Sequence, residues 1–315
     1  MTPPRVSIVI TTRNRREEVS VAIDSGLSQT EPCEVIVFDD ASEDGTSAWI
    51  QAHYPSIRLI TRDQPFDSCV NRNEGFRLAQ GEFVISLDDD SFLCDPGTAR
   101  GVVEVFEAHP EAAILSLAYV EPRSGADRSM NYPPPHASPM CSYVACAAAF
   151  RLSSVRAVDG YRDVLVHQGE ERDLAIRILD RGESLLYVET PPIVHLYSPK
   201  RNQGKMNFYG YRNTILFCWM RVPFPDCFFR AVIDTAQLLR YKFSLRTLGP
   251  SLWALAAGWW GGLRYWRERK PVRRETWRLY RSLPRHGPLP LTEGQREEYR
   301  QLIEERLPTT PGGGT

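Results

Sequence analysis

Three consecutive aspartates, Asp88-Asp89-Asp90, close the apolar run EFVISL at 82–87, and a second acidic pair, Asp39-Asp40, closes EVIVF at 34–38. Carboxylates crowded in this way repel, and each raises its neighbours' pKa. A divalent cation relieves the repulsion. Hard oxygen ligands suit Mg²⁺ or Mn²⁺, which bridge one or two carboxylates to substrate phosphates. Along an extended segment side chains alternate, so Asp88 and Asp90 are expected on one side and Asp89 on the other. A solvated acidic turn or a helix N-cap is the other reading of the same residues.

The elements that must position these acids follow from the pattern around them. Val6–Ile10 is a short β-branched run that stops at the polar loop Thr11–Arg15, and Val19, Ile23 and Leu27 then recur at helical spacing. Strands are predicted at 34–38, 57–61, 82–87, 113–120 and 185–188, and helices from 46, over 71–79, 96–108 and 170–181. Gly182 sits where a left-handed cap belongs. Continuous apolar strands alternating with helices predict a mostly parallel sheet covered on both faces. Ligands of such sheets sit beyond the strands' carboxyl ends, which is where both acidic clusters fall. Residues 121–140 read as a loop, and 141–150 are small and apolar.

With 315 residues, 42% hydrophobic and 24% charged, the chain is long enough for a real core, which excludes a disordered chain and a small disulfide scaffold. The net charge of −1 hides a split. Residues 1–239 carry 23 Lys/Arg against 32 Asp/Glu, whereas 240–285 carry 12 Lys/Arg and only Glu268 and Glu275. One end is therefore expected to meet an anionic surface. Leu248–Leu263 is uncharged but shorter than the ~20 residues that span a bilayer. Within it and just after it, Leu252, Leu255, Trp259, Leu263 and Trp266 recur at helical spacing. Arg264, Arg267, Arg269, Lys270, Arg273 and Arg274 follow. Such a segment suits a helix at the face of an anionic membrane; the other reading is a helix docked on the rest of the protein. Seven cysteines with no C-x-x-C pair, and an N-terminus without a signal-peptide pattern, predict reduced thiols in the cytoplasm; the membrane-facing reading of the basic segment would add peripheral attachment to the inner face of the plasma membrane.

VSIVITTRNR, VFDDAS, NRNEG and SLDDDS, in this order, resemble the family 2 glycosyltransferases over roughly residues 5–215. The resemblance implies an α/β architecture of the nucleotide-diphospho-sugar transferase (GT-A) type: a Rossmann-like, mostly parallel sheet with helices on both faces. It divides the chain into a GT-A domain over 1–215, with a nucleotide-sugar half near 1–95 and an acceptor half near 96–215. A helical, basic extension over 216–307 and a flexible tail over 308–315 follow. It implies a metal site of Asp88 and Asp90, with His195 near the metal or diphosphate, and donor contacts from Thr11, Arg13, Asp40, Arg72, Asp88 and Asp89. Arg13 stands where many relatives carry an aromatic ring, and a guanidinium can also stack on a base. Asn73 pairs with Arg72 in the same pattern; a helix surface that merely orders the aspartate loop is the other reading.

GEERDLAIR at 169–177 resembles the family's Glu-Asp-x-Asp-Leu segment and makes Glu171 the catalytic base, a Glu where Asp is usual. An acceptor hydroxyl is a poor nucleophile, so a positioned carboxylate must take its proton. Acids in a first turn also complement the helix dipole with no further role, and Asp173 is expected to position Arg177. Lys200, Arg201 and Lys205 either close over the leaving diphosphate or are solvated. Tyr209, Tyr211, Arg212 and Asn213 line an acceptor groove or pack in the core.

The implied activity is a metal-dependent, inverting transfer of a sugar from a UDP-, GDP- or dTDP-linked donor to a carbohydrate or lipid-linked acceptor, in cell-surface polysaccharide or glycolipid synthesis. Mg²⁺ or Mn²⁺ is the cofactor, and nucleic acid is no partner. A catalytically weak or inactive sugar-nucleotide-binding relative and a nucleic-acid-binding protein using the basic tail are the alternatives. A sugar nucleotidyltransferase would need a glycine-rich phosphate loop, and 11–16 contain no glycine.

Overall fold

The apolar runs become strands β1 (Val6–Thr12), β2 (Cys33–Asp39), β3 (Arg58–Thr61), β4 (Phe83–Asp88), β5 (Ser91–Leu93), β6 (Ala112–Ser116), β7 (Tyr119–Val120), β8 (Ser138–Pro139), β9 (Ala148–Arg151), β10 (Ser184–Tyr187) and β11 (Ile193–His195). Between them lie helices α1 (Arg16–Leu27), α2 (Thr46–His53), α3 (Asp67–Leu78), α4 (Thr98–Ala108), α5 (Leu152–Arg156) and α6 (Glu170–Asp180). Four helices follow: α7 (Gln203–Arg221), α8 (Asp226–Tyr241), α9 (Leu245–Arg264) and α10 (Arg274–Ser282). The computed structural model describes residues 3–121, 137–196, 202–241 and 245–285. Most of the predicted 121–140 loop, Lys200, Arg201 and the 308–315 tail lie outside the described residues.

Eight strands form one sheet in the order β3-β2-β1-β4-β9-β6-β10-β8, and β5-β11-β7 form a second. The pairs β3–β2, β2–β1, β1–β4 and β6–β10 are parallel, whereas β9 runs antiparallel to both β4 and β6. Successive residues of the apolar strands feed opposite cores. Ile8, Ile10, Val35, Val37 and Ile85 pack on one face, beneath Val19 and Ile23 of α1 and Phe106 of α4. Val9, Ile36, Val84 and Phe150 pack on the other, beneath Phe76 of α3 and Leu174 of α6.

The register places the chemistry. Thr11 pairs with Asp88 across β1–β4, and Thr12 pairs with Asp39 across β1–β2, so both acidic clusters leave the sheet at one edge. The antiparallel pair β5–β11 sets His195 opposite Ser91, directly after the aspartates.

Several boundaries differ from the sequence expectation. The strand read at 113–120 is two strands in different sheets, β6 in the large one and β7 in the small one, with Leu117 and Ala118 between them. The 141–150 segment holds a 3₁₀ turn and then β9. Gly182 has φ +85, the left-handed value expected of the cap. In α9 the buried side is made of Ala254, Leu255, Gly258, Gly261 and Gly262, while Leu252 and Leu263 face outward, as does Trp266 in the 3₁₀ turn just past the helix. A Cβ at Gly258 would lie 2.7 Å from the Arg212 carbonyl, and one at Gly262 would lie 2.5 Å from the Trp219 ring. The glycines therefore let α9 press onto α7 backbone to backbone. Among the described residues no helix is long and apolar enough to cross a membrane. All seven cysteines are free.

Candidate active site

A cavity of about 560 Å³ opens where β1, β4 and the start of α6 meet. Thr11, Arg13, Asp40, Arg72, Asp88, Asp89, Asp90, Glu171 and His195 all line it. These nine residues, expected at the site from the sequence, are thus gathered at one place although they lie as far apart in the chain as Thr11 and His195.

The aspartates do not alternate as an extended segment would. β4 ends at Asp88, and 89–90 form a turn. Asp88 accepts a hydrogen bond from the buried Arg72, whereas Asp89 and Asp90 both converge on Arg15. Arg15 Nη1 lies 2.6 Å from Asp89 Oδ1 and 3.2 Å from Asp90 Oδ2. Burial pushes Asp89 up to about 7 against the pull of Arg15, and the charges of Asp90 and Asp88 add to the rise. Arg15 is a site residue that sequence reasoning missed; its only signal is the Arg13-Asn14-Arg15 run. Burial opposes the charge on Arg72, but Asp88, helped by Tyr161, Glu170 and Cys69, together outweigh that cost and keep the guanidinium charged.

His195 bridges two acids, with Nε2 3.3 Å from Asp90 Oδ1 and Nδ1 2.7 Å from Glu121 Oε1. Burial disfavours the imidazolium, but these two hydrogen bonds carry its pKa up to about 9. A carboxylate oxygen of Asp88, Cys146 Sγ and a His195 ring nitrogen lie within 4.8 Å of one another. This set could hold a metal ion, with Asp90 beside it. Cys146, brought in by the turn before β9, had no sequence signal, since an isolated cysteine in an apolar run reads as core.

Asp40 lines the cavity, but its carboxylate is shared. It accepts from the Phe66 N–H at 2.8 Å, the Asp67 N–H at 3.3 Å and Asn71 Nδ2 at 2.8 Å, which ties down the start of α3. Asn73 does not face the donor side. Its Nδ2 donates to the Tyr161 carbonyl at 2.8 Å and its Oδ1 accepts from the Tyr161 N–H, so it joins α3 to the second half of the protein. Lys205, paired with Asp67, lines the mouth of the cavity with Met206. Tyr209 and Tyr211 are not among the cavity residues; Tyr211 packs against the core.

Glu170 and Glu171 reach the cavity from the first turn of α6. The turn before them is tight: Val166, Gln168 and Gly169 have φ of +62, +64 and +90. Asn213 of α7 holds it, donating from Nδ2 to the carbonyls of Leu165, His167 and Gln168 at 2.7–3.0 Å. This clamp, invisible in the sequence, gives Asn213 a positioning role. Burial raises both glutamates. Glu170 is pushed up to about 8, first by burial and then by the charge of Glu171.

A buried carboxyl raised in the fold stabilises below its unfolded pKa, and that stability drains away as pH climbs toward about 8. Glu170→Gln is therefore expected to be more stable than the parent at pH 9, by on the order of 1–2 kcal/mol, and near parity at pH 5. Urea melts in EDTA at the two pH values check this.

Residues 7–146 match the family model described as glycosyl transferase family 2. The amino-terminal segment is a family 2 glycosyltransferase domain. The putative colanic acid biosynthesis glycosyl transferase WcaA of Escherichia coli is 26% identical over 65% of this chain and 80% of its own length. The succinoglycan biosynthesis protein ExoO of Rhizobium meliloti is 34% identical over 33% of this chain and 30% of its own length. Both relatives are named for polysaccharide biosynthesis. Among solved structures, S. aureus TarS 1–349 in complex with UDP-GlcNAc superposes with a TM-score of 0.62, at 14% identity over 94% of this chain and 92% of that one. The mannosyltransferase PcManGT of Pyrobaculum calidifontis, in complex with GDP-Man and Mn²⁺, superposes at 0.55, with 18% identity over 97% of this chain and 85% of that one. Its fold is the GT-A fold of these glycosyltransferases.

Proposed function

We propose that this glycosyltransferase moves a sugar from a nucleoside-diphosphate donor, UDP-, GDP- or dTDP-linked, to a hydroxyl of a carbohydrate or lipid-linked acceptor, inverting the anomeric carbon. Cell-surface polysaccharide or glycolipid synthesis is the setting, and seven free thiols support a cytoplasmic site of reaction. One observation carries the reading. The acids that end β4 and the glutamates that start α6 face a single cavity large enough for a sugar nucleotide.

Each residue then has a task. Asp88 and His195, with Cys146 and Asp90 close by, form the set that would hold Mg²⁺ or Mn²⁺. When bound, the ion supplies positive charge against the diphosphate oxygens. Arg72 and Lys205 face the same oxygens as fixed cations, and Arg15 keeps Asp89 and Asp90 from repelling each other. Thr11, Arg13 and Asp40 line the end of the cavity assigned to the nucleoside. Glu171 accepts the acceptor's hydroxyl proton as the oxygen attacks the anomeric carbon in line and the diphosphate departs. No covalent glycosyl-enzyme is required.

Calorimetric titration with a panel of nucleotide sugars tests the reading. One donor class is expected to bind in Mn²⁺ or Mg²⁺ and to bind weakly in EDTA, and Asp88→Asn is expected to weaken it about tenfold or more. Failure of every nucleotide sugar to bind in either ion would overturn the assignment.

A further inference from the structure

Thirteen large hydrophobic side chains are exposed among the described residues, and ten of them fall between 224 and 266. On α8, Phe228, Phe229 and Val232 are 48%, 60% and 46% exposed; on α9, Trp253, Trp260 and Leu263 are 69%, 65% and 68% exposed. The two helices meet along a seam. There Phe228 and Trp259 lie edge to face at 6.3 Å, and Trp259 Nε1 donates to Thr235 Oγ1 at 3.1 Å. The opposite side of α9 is consumed by its glycine contact with α7. Phe228 touches Trp259 and Trp266 touches Trp219 by one edge, yet most of the outward rows stays exposed among the described residues, and patches of this kind mark interaction sites.

We propose that this α8–α9 face docks on the surface of an anionic lipid bilayer. The charge around it selects that occupant. Arg264 and Arg267 adjoin Leu263 and Trp266, and Lys270 and Arg274 follow, all exposed. Residues 240–285 hold 12 Lys/Arg against two acids. Of those acids, Glu268 is already paired with Arg162. Aromatic rings at headgroup depth with cations beside them are what an interfacial helix needs.

A second copy of the chain on this face would bring two strongly basic regions within a Debye length of each other. Nucleic acid would meet the cations and stack on the rings, but it offers nothing to Val232, Ile233, Leu252 and Leu263, which acyl chains would cover. The face is also rigidly tied to the cavity. α7 carries α9 on its carboxy-terminal half and lines the cavity with Lys205 and Met206 at its amino-terminal end. Docking would thus hold the cavity at a set height above the lipid.

The test is co-sedimentation of the full chain with vesicles of phosphatidylcholine alone or mixed with phosphatidylglycerol. Binding is expected to the mixed vesicles, to weaken in high salt, and to shift tryptophan fluorescence to the blue. The pair W253S/W260S is expected to lower the bound fraction at least tenfold, with the thermal midpoint unchanged because both rings are exposed. R264Q/R267Q is expected to remove the preference for phosphatidylglycerol. Three results would overturn the proposal: no binding of the parent to mixed vesicles, undiminished binding by W253S/W260S, or a concentration-dependent dimer or RNA complex that W253S/W260S dissolves while vesicle binding persists.

Discussion

Glu171→Gln is expected to fold normally, bind donor with parental affinity and lose turnover by about 10²–10⁴-fold, the range for removal of a positioned general base. The amide keeps the size and hydrogen-bonding reach of the carboxylate but cannot take a proton. Burial and the charge of Asp88 hold Glu171 above the ordinary carboxylate range, although backbone N–H groups and Arg72 pull the other way. Its conjugate base is correspondingly stronger than a solvent-exposed glutamate, which suits deprotonation of a hydroxyl.

The sign of the pH dependence follows. The base works only when unprotonated, so kcat/KM is expected to rise with pH through an acidic limb displaced upward from the ~4.3 of a free glutamate. Because Glu170 shares the site and is itself raised, the limb belongs to the pair rather than to one residue. Glu171→Asp, one methylene shorter, is expected to retain part of the activity and the same limb. Near-parental kcat in Glu171→Gln, with donor bound at parental affinity, would remove the residue from the chemistry.

How much of this was legible in the sequence depends on the range of the interaction. The central strands were legible because each is a run of apolar residues buried on both faces, a pattern that needs no knowledge of partners. The acidic strand ends were legible because three adjacent carboxylates demand compensation wherever the chain goes. What failed were readings that require a turn or a distant partner. The alternation of Asp88, Asp89 and Asp90 assumed an extended backbone, and the turn at 89–90 sends two of them to Arg15 instead. Asn73 sits beside Arg72 on one helix, yet successive helical residues point about 100° apart, so one faces the cavity and the other Tyr161. Cys146 reaches Asp88 and His195 only because β9 enters the sheet antiparallel between β4 and β6. Nothing in CSYVACAAAF encodes that placement.

The carboxy-terminal helices illustrate the same limit. Reading the tryptophan-rich segment as either a docked helix or a membrane-facing one treats a helix as having one apolar side. α9 has two. Its glycine side seats on α7 and its indole side faces out, a division that hydropathy cannot reveal because glycine scores as neither. α7 in turn is more than a connector: its Asn213 holds the loop before Glu170, so the helices beyond the sheet help fix the geometry of the base.

The same dependence makes Asp173→Ala the substitution expected to cost most stability, about 3–5 kcal/mol. Asp173 is buried in α6, two residues after Glu171, and its carboxylate joins two guanidinium groups. Oδ2 accepts from Arg177 Nε at 2.8 Å, while Oδ1 accepts from Arg221 Nε at 2.6 Å. Arg177 continues to the carbonyls of Val158 and Gly160, and Arg221, at the end of α7, continues to the carbonyl of Lys270. Removing the carboxylate leaves two buried cations, Arg177 and Arg221, facing each other without compensation, which costs more than the ion pairs themselves contribute.

Burial opposes the charge on Asp173, but Arg177 and Arg221 outweigh it and hold the carboxyl below its usual range. A group depressed in this way stabilises the fold above its unfolded pKa of ~3.9, and that stability is lost as pH falls through the lower folded value. The parent is therefore expected to lose stability in acid by a step that Asp173→Ala lacks. Urea denaturation at neutral pH, followed by tryptophan fluorescence, measures the difference, and the parallel series down to pH 3 checks its origin. Should the variant unfold with the parent's midpoint, the three-way pair would not be what joins α6 to the helices behind it.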